Sequence, residues 1–288
     1  NSTCMNNNTP SIDLPTANMR AWSGAQIDDV ENLLQRRIFL QTGALDTTIG
    51  PNVVSQLHAQ LARFTLASST EYIVSPEADH TFPTDFDSEG NSPCGVAAGP
   101  YISNCGYDGA GAVLEWLLGP LTPKAAGKLS GEVVRFDQSG EFGASGLGAT
   151  GFLYVPAECG NGSRSSAAVV CRLHVVFHGC TQSYGQIGER FVRDTGYNRW
   201  ADTNNIIILY PQTTVDLSVH PIWDGEEHSN RLACWDWIGL YGDDIDWKGG
   251  VQVEAIMNQV NRIISGYTRP GSVSATDEQH KSTTHVEL

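Results

Sequence analysis

Residues 205–211, Asn-Ile-Ile-Ile-Leu-Tyr-Pro, carry four large apolar side chains and a tyrosine in succession, without polar alternation. A strand with one wet face alternates; a strand with an unbroken apolar run has to be covered on both faces. The remaining periodicity supplies the covering helices. The spacing of Ile27, Val30, Leu33 and Leu34 predicts a helix over 21–34, and 36–41 reads as a buried strand. Pro51 opens a helix with Val54, Leu57 and Leu61 on one face, proline being favourable in a first turn. Strands are predicted at 71–74, 131–136, 151–156 and 173–177, the middle two as an antiparallel pair and the last as a central strand. Helices are predicted at 109–118, at 184–203 and at 251–264, the last with Ile256, Val260, Ile263 and Ile264 facing inward. This alternation is that of an α/β sheet.

Within that frame, chemistry is expected at the carboxyl ends of strands, where open α/β sheets place their ligands. Asp46, in TGALDTTIGPN (42–52), follows one strand end, and His80, in HTFPTDF (80–86), follows the next. Either alone reads as a turn residue. In succession they give the acid-then-histidine order of a serine hydrolase, in which the carboxylate fixes the imidazole tautomer. The third element is HGCT at 178–181. Gly179 permits a tight turn, so that the N–H of Cys180 can face a developing oxyanion.

The nucleophile is missing from this pattern. No Gly-x-Ser-x-Gly elbow occurs: Ser145 in GASGLG sits one residue early in a glycine loop, and Ser23 in AWSGAQ lacks the leading glycine. Metal chemistry is not expected. His174 and His178 stand roughly 13 Å apart on an extended strand, too far to share an ion. The acidic stretches 224–228 and 242–246 read as solvated loops. Trp235 and Trp237 fall on one face of an extended segment, as core aromatics or as an exposed apolar platform.

A formal charge of −15 argues against a nucleic-acid partner. No apolar run reaches the length of a membrane span. The seven cysteines never form Cys-x-x-Cys, which favours disulfides over zinc or thioredoxin chemistry. Cys94 to Cys105 and Cys159 to Cys171 look like local staples, and the odd number leaves one cysteine over. Sequons at Asn1, Asn7 and Asn161 fit an exported, secreted chain. Residues 268–288 lack periodicity and are expected to be a disordered tail behind a catalytic unit of residues 1–267.

Taken with the blocks LPTANM (14–19), PYISNCGYDGAGA (100–112), TGYNRWADTNNIIILYPQ (195–212) and CWDWIGLYG (234–242), these motifs resemble the extracellular polyhydroxybutyrate depolymerases. The likeness is to the fungal, single-domain type, and it spans about residues 1–267. It implies an α/β-hydrolase fold in circularly permuted order, a monomer without cofactor, and a polyester substrate cut through an acyl-enzyme. It implies Asp46 and His80 as triad acid and base, the N–H of Cys180 as an oxyanion donor, and Trp237 as a substrate-lining residue. It implies the pairs Cys94–Cys105, Cys159–Cys171 and Cys180–Cys234, leaving Cys4 unpaired. In the permuted order the strand, nucleophile elbow and helix precede the Asp46 loop. The expectation is therefore a chain truncated at its N-terminus, lacking its serine and inactive as it stands. A feruloyl or acetyl-xylan esterase, and a secreted polymer-binding relative without catalysis, are the alternatives.

Overall fold

The computed structural model describes residues 5–160 and 169–265. Helix α1 (Asp13–Trp22) opens the chain, followed by strand β1 (Ile38–Gly43), helix α2 (Pro51–Leu61), strands β2 (Thr70–Ser75), β3 (Phe82–Thr84) and β4 (Ile102–Asn104), and helix α3 (Gly109–Leu118). Then come β5 (Glu132–Asp137), β6 (Thr150–Val155), β7 (Arg172–Val175), three short helices α4 (Tyr184–Ile187), α5 (Arg190–Asp194) and α6 (Tyr197–Asn204), and β8 (Ile206–Tyr210). A hairpin of β9 (Asp216–Pro221) and β10 (Glu227–Asn230) and the long α7 (Val251–Ile264) complete the order.

The main sheet runs β5-β6-β8-β7, with β5, β6 and β8 antiparallel in turn and β7 parallel to β8. The apolar run of β8 has the two covered faces that its composition demands. Ile206, Ile208 and Tyr210 pack with Phe152 and Tyr154 of β6 and with Ile102, Leu114 and Trp200. Leu209 points the other way, with Leu153 and Val155, onto Val260 and Ile263 of α7. Each strand thus feeds two cores at period two, and the architecture is mixed α/β. Phe152 is completely buried, so Phe152→Ala is expected to cost about 3–5 kcal/mol, read as a lowered denaturant midpoint with an unchanged slope.

Several elements differ from the sequence expectation, each for a local reason. The helix expected over 21–34 is instead α1, ending at Trp22, with a single 3₁₀ turn at Val30–Leu33. Gly24 takes a positive φ of 73° after the helix end. Asp29 starts the turn by accepting from Glu31 N–H, and Ser23 Oγ takes the Val30 N–H. The single helix expected over 184–203 is broken at Gly188 and Gly196, both with positive φ. Ile264 is 67 % exposed, so it does not belong to the inward face assigned to it. The strand 173–177, expected to be central, is β7 at a sheet edge among the described residues, paired only with β8.

Parallel β1 and β2 form a separate pair, as do β3 and β4. Three disulfides join Cys94 to Cys105, Cys159 to Cys171 and Cys180 to Cys234, the pairs implied by the resemblance. Cys4, the sequons at Asn1 and Asn161, and the tail at 268–288 lie outside the described residues. Among the described residues no helix is long and apolar enough to cross a membrane.

Candidate active site

The first half of the site is built where β1 and β2 end. A Cβ on Gly43 would lie 2.2 Å from the carbonyl oxygen of Ala78. Glycine at that position lets the loop after β1 close onto the loop after β2, and the two carry Asp46 and His80. Leu45 N–H donates to the Ala78 carbonyl at 3.0 Å and draws the loops together. Asp46 is 7 % exposed and its carboxylate is fully engaged. Oδ1 accepts from the N–H groups of Thr48 (2.8 Å) and Ile49 (3.0 Å), and Oδ2 meets His80 Nδ1 at 2.9 Å. His80 is seated by its own N–H, which donates to Asp79 Oδ1 at 2.8 Å, and its ring lies edge-on to Tyr101.

An ionised carboxylate only accepts, so Nδ1 carries the proton and Nε2 keeps its lone pair. Among the described residues nothing hydrogen-bonds Nε2. Burial pushes the Asp46 pKa up, but the hydrogen bonds from His80 and from the Ile49 and Thr48 amides outweigh it, holding the carboxyl below its ordinary value. The hydrogen bond to Asp46 raises the His80 pKa, helped by the charges of Asp46 and Asp79 and opposed by burial. For stability, the His80 contribution is present at acid pH and fades as pH rises through the raised value; the Asp46 contribution fades as pH falls through the lowered one. For catalysis the sign is simpler, because a general base works only when neutral. Ester turnover is expected to climb with pH through a midpoint above the ordinary histidine value of about 6.5. A kcat/KM–pH curve with its midpoint below that value would contradict the assignment.

The second half lies beyond the end of β7. His178 is 2 % exposed, and its Nε2 accepts the Thr213 N–H at 3.1 Å. Nδ1 therefore carries the proton and donates to the Gly179 carbonyl at 2.7 Å. Burial lowers the His178 pKa to about 4, which keeps the ring neutral. Thr181 N–H donates to the Leu232 carbonyl, Gln182 N–H to the Gly179 carbonyl and Gly179 N–H to Gln182 Oε1. From Gly179 to Gln182, only the N–H of Cys180 is without a partner among the described residues. Its sulfur ties the loop to Cys234.

Between the halves lies a cavity of about 450 Å³, bordered by Asp46, His80, Tyr101, Phe177, Gly179 and Gln182 among others. Trp237 does not line it and stands 44 % exposed. The segment that carries it is not extended: Asp236 Oδ1 gathers the N–H groups of Ile238, Gly239 and Leu240, and Oδ2 that of Tyr241, which turns the chain. Trp235 donates to the His178 carbonyl and packs edge-to-face on Phe177. Phe177 directly precedes the HGCT turn, Gln182 directly follows it and Tyr101 lies in PYISNCGYDGAGA (100–112), but the sequence assigns none of the three a role. His174 packs on Tyr197, its pKa lowered by burial to about 4. Among the described residues no group of three or more histidine, cysteine or acidic side chains is placed to hold a metal.

No family profile matches the chain. Comparison with individual proteins is more informative. The chain is 53 % identical over 266 residues to a polyhydroxybutyrate depolymerase of Talaromyces funiculosus, covering 92 % of this chain and 77 % of that protein. It is 37 % identical over 252 residues to a poly(3-hydroxybutyrate) depolymerase of Delftia acidovorans, covering 87 % of this chain and 47 % of that longer protein. Among solved structures, the PHB depolymerase of Penicillium funiculosum superposes with a TM-score of 0.89 at 53 % identity, over 93 % of this chain and 82 % of that one. A structure of a PHB depolymerase serine-to-alanine variant complexed with an R3HB trimer matches equally well. By this extent of identity, the chain belongs to the polyhydroxybutyrate depolymerase family of carboxylic ester hydrolases.

Proposed function

We propose that this protein hydrolyses the backbone esters of poly(3-hydroxybutyrate) through an acyl-enzyme, with His80 as general base, Asp46 as its orienting acid and the N–H of Cys180 as an oxyanion donor. The carrying observation is the Asp46–His80 hydrogen bond of 2.9 Å, at the border of a cavity that also adjoins the Cys180 turn. Supporting it, relatives of this chain are named for that polymer, and one was solved with an R3HB trimer. The succession of Asp46 and His80 after parallel β1 and β2 supports an α/β-hydrolase fold in circularly permuted order. Three disulfides support secretion.

In the first step a serine hydroxyl loses its proton to His80 Nε2 as its oxygen bonds to the ester carbonyl carbon, and the negative charge moves onto the carbonyl oxygen, facing Cys180 N–H. The intermediate collapses, the carbon–oxygen ester bond breaks, and the departing alcohol takes the proton from His80. Water repeats the sequence on the acyl-enzyme and releases a hydroxybutyrate oligomer. Asp46 supports the imidazolium throughout. Because no hydroxyl or thiol among the described residues hydrogen-bonds His80 Nε2, this reading assigns the attack to a serine outside them. A polypeptide without that serine is expected not to turn over even a soluble short-chain ester.

Labelling active native protein with a fluorophosphonate and mapping the adduct tests this directly. The expected adduct sits on a serine outside residues 5–160 and 169–265. An adduct on Ser23 or Ser145, or hydrolysis insensitive to the probe, overturns the assignment. Release of soluble hydroxybutyrate oligomers from granules is the substrate readout. Release from feruloyl or acetyl-xylan esters alone would favour that esterase class, and co-sedimentation with granules without release would favour a binding protein.

A further inference from the structure

The two halves of the site hang on different sheets, and Gln182 joins them. Its amide is used in three directions. Oε1 accepts from Gly179 N–H at 2.7 Å, while Nε2 donates to the carbonyls of Pro100 (2.8 Å) and Tyr101 (3.2 Å). Gly179 immediately precedes Cys180, the residue with the free N–H. Tyr101 is the residue whose ring meets His80, and its carbonyl also accepts Phe82 N–H at 2.9 Å, two residues beyond His80. Tyr101 holds φ at +58°, an uncommon value for a side chain of its size. Gln182 is 6 % exposed, and the glycine at 179 is matched to it: a Cβ there would lie 2.9 Å from Gln182 Oε1.

We infer that Gln182 is a positioning residue, setting the Cys180 N–H relative to His80 by clamping the turn after β7 to the Pro100–Tyr101 backbone. The inference rests on the roles given above to His80 and Cys180. A donor displaced by about 1 Å from a developing oxyanion can cost about 10²-fold in rate, while substrate held elsewhere in the cavity still binds. Neither methionine nor ionised glutamate can donate to Pro100 and Tyr101. A protonated glutamate can.

The test uses the full native protein and a soluble short-chain ester, with Gln182→Met, Gln182→Glu and the control His80→Gln. Gln182→Met is expected to lower kcat about 10²-fold with KM unchanged. Gln182→Glu is expected to lose as much at neutral pH, and its rate relative to the native protein should rise as pH falls and the carboxyl regains an O–H. Expressing the result as a ratio cancels the shared titration of His80, and a merely structural role would not give that pH-dependent recovery. A Gln182→Glu ratio flat across pH, or native kcat in Gln182→Met, overturns the inference. If His80→Gln retains native turnover, the underlying assignment has failed and the inference falls with it; if His80→Gln is inactive and Gln182→Glu behaves as native, the failure belongs to Gln182 alone.

Discussion

Replacing His80 with glutamine is expected to lower ester turnover by roughly 10⁴-fold or more, leaving the fold intact. The side chain stands at a cavity border rather than in either core, and the neutral glutamine amide can still donate to Asp46. What disappears is the basic Nε2, for which a carboxamide offers no substitute. The residual rate is what oxyanion stabilisation and binding supply without a base, and it should lose the pH dependence set by an imidazole. Comparing kcat/KM across pH for native and variant proteins checks both statements. A variant retaining a tenth of native activity, with the same pH midpoint, would remove His80 from the mechanism.

The second large effect is expected from Asp46→Asn, which removes one charge and changes almost no volume. Thr48 and Ile49 N–H groups both point at Oδ1, so an asparagine keeps its oxygen on them and turns its NH₂ toward His80 Nδ1. A donor in that position demands a lone pair on Nδ1, which moves the imidazole proton to Nε2. The histidine then presents a hydrogen where it needs to accept one. A fall of about 10⁴-fold in kcat follows, with the fold retained and the stability contributed by the Asp46 carboxylate lost. The tautomer is directly visible in the histidine ¹⁵N shifts: native protein is expected to show a protonated Nδ1, and the variant a protonated Nε2. Wild-type kcat in the variant would mean that Asp46 does not orient the base.

Much of this site was legible because it uses features local in sequence. Asp46 and His80 stand at consecutive strand ends, and the apolar run at 205–211 announced a doubly covered strand. The breaks at Gly24, Gly188 and Gly196 were also written in the sequence, but apolar spacing ran across them and implied longer helices than the glycines allow. The inward face of α7 was read one residue too far because periodicity alone does not say where a helix leaves its support. The conformation of residues 234–242 departs from expectation for a different reason. Alternation presumes an extended segment, whereas one carboxylate, Asp236, accepts from the N–H groups that follow it and turns the chain. The Gln182 clamp spans 82 residues to reach Pro100, and contacts at that separation leave no mark in a sequence window.

The close approach at Gly43 has one more consequence. Asp46 and His80 follow two paired strands, and the loops that carry them are tied to each other by the Leu45–Ala78 hydrogen bond as well as by the pair's own contact. Cys180, proposed as the oxyanion donor, follows β7 in the four-stranded sheet. Gln182, bonded to Gly179 on one side and to Pro100 and Tyr101 on the other, is the side chain through which a shift of one half would reach the other.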